Sequence, residues 1–164
     1  MLKNNNLAPV LLFTYNRLEH TKKTIEHLKE NNLAMHSDLI IFSDASKSDI
    51  DDKKVHNVRC YLKSIKGFKS CTLIEREINF GLSKNIIEGV TEVINSAGKV
   101  IVLEDDLLTS KNFLCFMNAA LKYYQEREDI FSISGYTDDL PSLSKEVFDT
   151  YLSVRISSWG WGTW

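Results

Sequence analysis

Three consecutive carboxylates, Glu104-Asp105-Asp106, follow a short apolar run and form the most chemically suggestive segment of the sequence. Adjacent carboxylates at the end of a buried strand repel one another and each prefers water, so the arrangement is costly unless a cation neutralises it. Mg²⁺ and Mn²⁺ take few protein carboxylates and fill their other positions with water and phosphate oxygens. The triplet therefore predicts either a metal site for a nucleoside diphosphate, or a solvated loop whose acidic residues are favourable near the next helix N-terminus.

Polar residues also follow the other predicted strands: residues 14–17 (Thr-Tyr-Asn-Arg), Asp44, and residues 79–85. In parallel α/β sheets ligands bind outside the carboxyl ends of the strands, because strand-end loops and helix N-termini converge there. We therefore expect these segments and the acidic triplet to face one crevice. A purely structural interpretation, as a turn, cap or surface residue, stays open for several of them: Asp44, Asn79, Gly81 and Lys84.

The hydrophobic pattern predicts the framework that brings these segments together. Short apolar runs predict buried strands, and apolar residues at helical spacing predict amphipathic helices between them. The predicted strands cover residues 9–13, 39–43, 71–74, 100–103 and 130–134, with one more at 150–154. Four helices are predicted. The first begins at Leu18, the second runs from Val55 to a C-cap at Gly67, the third from a cap at Ser83 to Gly98, and the fourth from about Ser110 to Arg127. This alternation is typical of an α/β three-layer sandwich around a mostly parallel central sheet.

Length and composition indicate one globular domain over residues 1–164. The 20 basic and 22 acidic residues are mixed along the chain, which argues against nucleic acid or an anionic membrane as the main partner. The three cysteines form no C-x-x-C pair, so we expect buried thiols in a reducing compartment rather than disulfides or a zinc site. The four histidines are expected on the surface. No signal peptide or transmembrane segment is visible, and a cytoplasmic protein is expected.

The segment Val100–Leu107, VIVLEDDL, resembles the strand and acidic motif of glycosyltransferases with the GT-A fold. The similarity is greatest to bacterial family 2 sugar transferases and to the N-acetylglucosaminyltransferase I type. Residues 13–17 resemble the opening strand and base-binding loop of these enzymes, and residues 79–85 their N-x-G…(R/K)N segment. Residues 133–139 and 158–161 resemble their acceptor-side segments. Each motif alone is weak, whereas their order and spacing along the whole chain are fairly specific.

This resemblance implies a nucleotide-diphospho-sugar transferase fold, with a donor-binding part at 1–109 and the start of an acceptor-side part at 110–164 in an N-terminal fragment of a longer protein. The implied reaction is a metal-dependent, inverting transfer of a hexosyl or N-acetylhexosaminyl group to a glycan or lipid-linked acceptor, as in bacterial polysaccharide biosynthesis. By the same resemblance Asp106 would bind the divalent cation, Mn²⁺ or Mg²⁺. Asp105 would meet ribose or sugar hydroxyls, and Glu104 would orient from the side.

The resemblance also assigns the nucleoside pocket. Thr14, Asn16 and Arg17 would line it, and Lys84 would lie near the base or the diphosphate. Asp44 would accept a hydrogen bond from a base imide N–H as a charged acceptor, which favours a UDP-sugar as the donor.

The acceptor side is less defined. Trp159 and Trp161 are interpreted either as a flat platform for a sugar ring or as core residues. In the families resembled the catalytic base lies beyond the Gly-Trp segment, so we expect it outside these residues, with Asp138 or Asp139 as a fallback. We expect that the full-length protein can associate peripherally with a membrane.

Three alternatives remain at the level of sequence. The first is a nucleotide-sugar-binding fragment without catalysis. The second is a phosphoacceptor signalling domain, which needs its acidic pair after the first strand, where this chain has residues 14–17 (Thr-Tyr-Asn-Arg). The third is a sugar-nucleotide-forming nucleotidyltransferase, which would need a Gly-rich basic loop at that same position.

Overall fold

The computed structural model describes residues 7–139, 141 and 150–164. Within them the strands are β1 (Val10–Thr14), β2 (Asp38–Ser43), β3 (Ser70–Glu75), β4 (Val100–Glu104), β5 (Ile133–Ser134) and β6 (Trp161–Thr163). The α-helices are α1 (Leu18–Lys29), α2 (Asp49–Leu62), α3 (Leu82–Ala97) and α4 (Phe113–Tyr124), and a short 3₁₀ helix covers Ala34–His36. The fold is α/β, as the alternation of apolar runs and amphipathic stretches predicted.

One six-stranded sheet organises the chain, in the order β3-β2-β1-β4-β6-β5. The pairs β1–β2, β1–β4 and β2–β3 are parallel, whereas β6 is antiparallel to both β4 and β5. The sequence order reverses between β1 and β4, because β1 lies between β2 and β4. This position is the switch point at which the loops after neighbouring parallel strands separate and leave a crevice.

Helices cover both faces of the sheet, which confirms the three-layer sandwich. Successive residues of a strand point to opposite faces, so Val10 and Leu12 join the core under α1, α2 and α4, while Leu11 and Phe13 join the core under α3. All five residues of β1 are buried, as expected for a central parallel strand.

Glycine permits a close approach between α3 and the sheet. A Cβ atom at Gly89 would lie 2.9 Å from two ring carbons of Phe13 and 3.0 Å from the Phe42 ring. These two rings are stacked, with centroids 5.1 Å apart. The missing side chain thus lets α3 pack directly on β1 and β2 beside the crevice.

Several predicted boundaries were wrong. Helix α2 ends at Leu62, before Gly67, and the N-cap of α3 is Gly81 at φ 71° rather than Ser83. Helix α4 is shorter than the predicted 110–127, and β5 keeps only two residues of the predicted 130–134. Residues 150–154 form no strand, and the last strand is Trp161–Thr163. The C-cap at Gly98, in the left-handed region, is confirmed.

The surface predictions had mixed outcomes. The four histidines are exposed, as predicted. The cysteines are not buried: Cys60 and Cys71 are exposed and Cys115 is half-buried. Cys71 lies on β3, the edge strand of the sheet, where one side lacks a neighbouring strand. Among the described residues no helix is both long and apolar enough to cross a membrane. The prediction about a leader at the N-terminus concerns residues 1–6, which lie outside the described part.

Candidate functional site

Asp105, directly after β4, is a buried carboxylate with its hydrogen bonds satisfied. Its side chain is 4% exposed and accepts a hydrogen bond from Nη2 of Arg17 and a longer one, at 3.4 Å, from the backbone N–H of Tyr15. Burial raises the pKa of Asp105, and the contact with the Arg17 guanidinium opposes that rise. Asp105 therefore ties the loop after β1 to the end of β4.

Asp106 and Glu104 differ from Asp105 in their surroundings. Asp106 has a side chain 40% exposed, and its Oδ2 lies 2.9 Å from Nη1 of Arg17. Glu104 is half-buried and has no hydrogen-bond or ion-pair partner among the described residues. Burial, followed by the charges of Asp106 and Asp105, raises the pKa of Glu104. Arg17 is thus the cation against the triplet in this structure, and one guanidinium balances only part of its charge.

The fit of a divalent cation depends on Asp106. Within residues 7–139, 141 and 150–164, no group of three or more His, Cys, Asp or Glu side chains surrounds a common metal position. A complete protein cage is therefore absent from that part of the chain. Mg²⁺ and Mn²⁺ nevertheless bind through one or two carboxylates when phosphate oxygens complete the coordination, and the exposed carboxylate of Asp106 suits that arrangement.

A second carboxylate, Asp51 in the first turn of α2, organises the loop after β1. It accepts hydrogen bonds from Nδ2 of Asn16 at 2.8 Å and from the hydroxyl of Tyr15 at 3.1 Å. The Asn16 hydrogen bond lowers the pKa of Asp51. The Tyr15 hydroxyl also accepts the backbone N–H of Lys47 at 2.9 Å. Sequence reasoning missed Asp51 because an acid in a first helical turn is ordinary.

Asp44, after β2, is 5% exposed and accepts four hydrogen bonds. Its Oδ1 accepts from the backbone N–H groups of Ala45 at 3.0 Å and Phe80 at 2.9 Å. Its Oδ2 accepts from Gly81 N at 2.9 Å and from Nδ2 of Asn79 at 3.2 Å. An ionised carboxylate offers about four acceptor sites. Asp44 therefore holds the loop before α3 in place, which is the structural alternative left open by the sequence.

A cleft of about 250 Å³, which we call the donor cleft, lies at the carboxyl ends of β1, β2 and β4. Five of the predicted site residues line it: Thr14, Arg17, Asp44, Glu104 and Asp105. It is also lined by residues that the sequence did not single out as ligands: Tyr15, Lys47, Leu82 and Asn85.

Two of the predicted donor residues do not line that cleft. Asn16 turns toward Asp51. Lys84 is 57% exposed, pairs with Glu88 at 3.6 Å and lies 4.4 Å above the Phe80 ring. An exposed lysine in a first helical turn finds its nearest partners on its own helix and loop. The surface interpretation of Lys84 describes its place in the structure.

A larger cleft of about 500 Å³ lies beside the first, and we call it the outer cleft. Its lining includes Asp106, Leu108, Phe113, Tyr136 and Trp159. Trp159 is 54% exposed, and its ring centroid lies 4.7 Å from that of Tyr136. Asp106 thus borders the outer cleft while its neighbour Asp105 borders the donor cleft.

Comparison with known proteins identifies this architecture. The chain is similar in structure to the mannosyltransferase PcManGT from Pyrobaculum calidifontis in complex with GDP-Man and Mn²⁺, with a TM-score of 0.54 and 16% identity over 80% of this chain and 36% of that one. Two structures of S. aureus TarS, one of residues 1–349, have the same TM-score and 15% identity over 73% of this chain and 20% or 33% of theirs. The chain shares the α/β fold of these glycosyltransferases.

This likeness extends to the fold and not to a particular family. The chain spans between a fifth and just over a third of the length of these glycosyltransferases. No protein family model matches the sequence, and no curated protein matches it.

The remaining predicted residues, Trp161, Asp138 and Asp139, come after α4 in the chain. Trp161 is half-buried in β6 and packs against the core under α3, so it belongs to the sheet rather than to an open platform. Asp138 and Asp139 are exposed and line neither cleft. Asp138 lies 3.7 Å from Arg155, an exposed surface pair. Trp159, by contrast, lines the outer cleft and is 54% exposed.

Proposed function

We propose that this chain binds a nucleotide-diphospho-sugar in the donor cleft and acts in the metal-dependent transfer of its sugar to a glycan or lipid-linked acceptor. The observation that carries the proposal is the cluster of Arg17, Asp105 and Asp106 at the carboxyl ends of adjacent parallel strands. Ligands bind at this position in open α/β sheets. A neighbour with the same fold was solved with GDP-Man and Mn²⁺, which supports a ligand of this class.

The charges of the donor cleft suit a ligand with one polar neutral end and one anionic end. Its buried lining residues are Phe13, Thr14, Asp44, Asn85 and Asp105, and all of them except Phe13 carry hydrogen-bonding groups. The cations Arg17 and Lys47 are exposed and line the same cleft, and Lys47 has no ion-pair partner in the described part of the chain. A nucleoside would thus occupy the buried end, with its diphosphate toward the two cations.

Asp106 is the residue that would hold a divalent cation together with the diphosphate. A bound Mn²⁺ or Mg²⁺ supplies charge neutralisation for a departing nucleoside diphosphate. The role of Arg17 is to hold Asp105 and Asp106 in position and to present donor groups to phosphate oxygens when its contact with Asp106 is released. Glu104 has no partner of its own among the described residues and would orient ligand hydroxyls from the side of the cleft.

The acceptor would occupy the outer cleft, where the exposed face of Trp159 suits a sugar ring. Transfer needs a base for the acceptor hydroxyl, and Asp106 is the carboxylate among the residues that line this cleft. Asp138 and Asp139 stay fallback candidates that would have to move toward it. Because Asp106 is also the proposed metal ligand, the lining of the outer cleft offers no separate carboxylate to act as this base. That arrangement favours a second candidate function for the chain by itself, which is nucleotide-sugar binding without transfer.

The proposal is tested by calorimetry and thermal shift with UDP-, GDP-, CMP- and dTDP-sugars, with and without Mn²⁺. We expect metal-dependent binding of one of them, with a UDP-sugar favoured, and loss of the metal dependence in Asp106→Ala. The variant Asp129→Ala is the matched control, since Asp129 forms an exposed 2.7 Å pair with Arg127 and neither residue lines a cleft. Absence of binding for every nucleotide sugar would refute the proposal, and sugar transfer by the chain alone would remove the binding-only alternative.

A further inference from the structure

Asn85 is a buried amide of α3 that lines the donor cleft and has a fixed orientation. It is 3% exposed, and its Oδ1 accepts a hydrogen bond from Nε of Arg76 at 3.0 Å. Arginine carries donors and no acceptor, so the amide atom that faces it must be the oxygen. The NH₂ group therefore points the other way, and it has no acceptor within the part of the chain that the structure describes.

Arg76 is itself held rigidly. Its guanidinium lies between two aromatic rings, 5.0 Å from the centroid of Phe42 and 4.8 Å from that of Phe80. Its backbone N–H donates to Ser43 O at 2.9 Å, and its backbone carbonyl accepts from Nη2 of Arg59 at 2.8 Å. Contacts with two rings limit the rotation of the guanidinium. Arg76 cannot turn away from Asn85 without leaving both rings.

The guanidinium forms no ion pair in the described ranges, and its Nη2 is buried there without a hydrogen-bond acceptor. Arg76 as a whole is half-buried, and a buried guanidinium nitrogen without an acceptor is costly. The hydrogen bond to Asn85 is the polar side-chain contact that Arg76 makes in this structure. We therefore interpret Arg76 as the residue that orients the Asn85 amide.

We propose that Asn85 reads the nucleotide base through its NH₂ group and that Arg76 is the positioning residue that keeps this group facing the cleft. The inference rests on the proposed nucleotide function of the donor cleft. A fixed donor can hydrogen-bond to a base carbonyl but not to a base amino group, because two donors that face each other in a buried site are both left unsatisfied. The bases that fit carry a carbonyl beside a ring N–H, as uracil and guanine do, whereas cytosine and adenine carry an amino group at that position.

The test measures the ratio of two affinities rather than one affinity. Calorimetry with UDP, GDP, CDP and ADP in the presence of Mn²⁺ should show that UDP or GDP binds about tenfold more tightly than CDP and ADP, since one unsatisfied buried donor costs on the order of that factor. In Asn85→Asp one carboxylate oxygen keeps Arg76 and the other becomes an acceptor. The UDP-to-CDP affinity ratio should then fall about tenfold or more, in favour of the amino base.

The negative charge that Asn85→Asp adds weakens the binding of every nucleoside diphosphate alike, so the charge by itself leaves the UDP-to-CDP affinity ratio unchanged. Asn95→Asp is the matched control, because Asn95 is an exposed residue of the same helix. Arg76→Ala should bring the ratio toward one by freeing the amide to rotate, whereas Arg76→Lys, which keeps a donor, should restore part of it. A merely structural role for Arg76 would lower all four affinities equally, and melting curves identify variants that do not fold.

The outcomes separate the two proposals. Binding of UDP or GDP with a UDP-to-CDP ratio that is unchanged in both Asn85→Asp and Asn85→Ala would overturn the base-reading role and leave the proposed function standing. Absence of binding for all four nucleotides would remove the proposed function, and the base-reading role with it.

Discussion

The substitution Asp44→Asn tests the part that this carboxylate plays in building the donor cleft. The exchange keeps size and shape but replaces one acceptor oxygen by an NH₂ group. In either orientation that group faces a backbone N–H, which belongs to Gly81 on one side and to Phe80 on the other. Because Asn79 is exposed and can turn away, the less costly orientation places the NH₂ toward Gly81.

The expected loss follows from those contacts. One backbone N–H without its acceptor costs about 1–3 kcal/mol, and the two retained bonds lose the assistance of a charge. We expect a loss of about 3 kcal/mol in the free energy of unfolding. Unfolding entropy of about 2.1 cal/mol/K per residue converts this loss, over 164 residues, to a fall in Tm of about 9 °C.

The assay is thermal and urea unfolding of the nucleotide-free protein, with Asp129→Asn as the control for removal of an exposed charge. A Tm within about 2 °C of the parent protein would refute the argument that the four hydrogen bonds stabilise the loop before α3. Nucleotide affinity measured well below Tm tests the other role of Asp44 separately. If Asp44 accepts a base imide N–H, affinity falls even where the variant is fully folded.

Three further substitutions test other contacts. Gly89→Ala should destabilise the protein by about 2 kcal/mol in urea unfolding, since the new methyl group would overlap the Phe13 ring, and an unchanged midpoint would contradict this packing. Glu104→Gln should stabilise the protein at neutral pH, because burial raises the pKa of Glu104 and its charged form opposes folding. The gain should vanish as the pH falls toward the glutamate value of about 4.3, and a pH-independent difference would refute it. Arg17→Ala should lower the free energy of unfolding by about 2 kcal/mol at neutral pH, because the buried Asp105 carboxylate loses its partner. The loss should shrink when acid protonates that carboxylate, and equal losses at pH 7 and pH 4 would exclude this cause.

The sequence predicted the sheet well where strands are buried on both faces. The segments at Val10–Thr14 and Val100–Glu104 are continuous apolar runs, and such runs are typical of central parallel strands. It failed at β6, where Trp161–Thr163 contains glycine and shows no strand pattern. A Cβ atom at Gly162 would lie 2.9 Å from the Val100 carbonyl oxygen, so the small residue is required by close strand pairing. That requirement is visible only once both strands are in place.

The site shows the same division between local pattern and packing. Strand-end position predicted that Arg17, Asp44 and Asp105 would meet, because parallel topology alone brings those ends together. It could not predict Asp51 or the pairing of Arg76 with Asn85. These contacts depend on how α2 and α3 are set against the sheet, and the residue types are ordinary for a first helical turn or a loop.

The donor cleft contains two kinds of polar residue, and their hydrogen bonds distinguish them. Asp44 and Asp105 are buried, and protein donors fill much or all of their acceptor capacity, so their removal should be felt first in stability. Glu104 and Asn85 also line the cleft, and the Glu104 carboxylate and the Asn85 NH₂ group have no protein partner in the described part of the chain. A buried or half-buried polar group without a partner is costly, and a ligand that supplies the missing partner recovers that cost on binding. Ligand affinity should therefore depend on the second kind more than on the first.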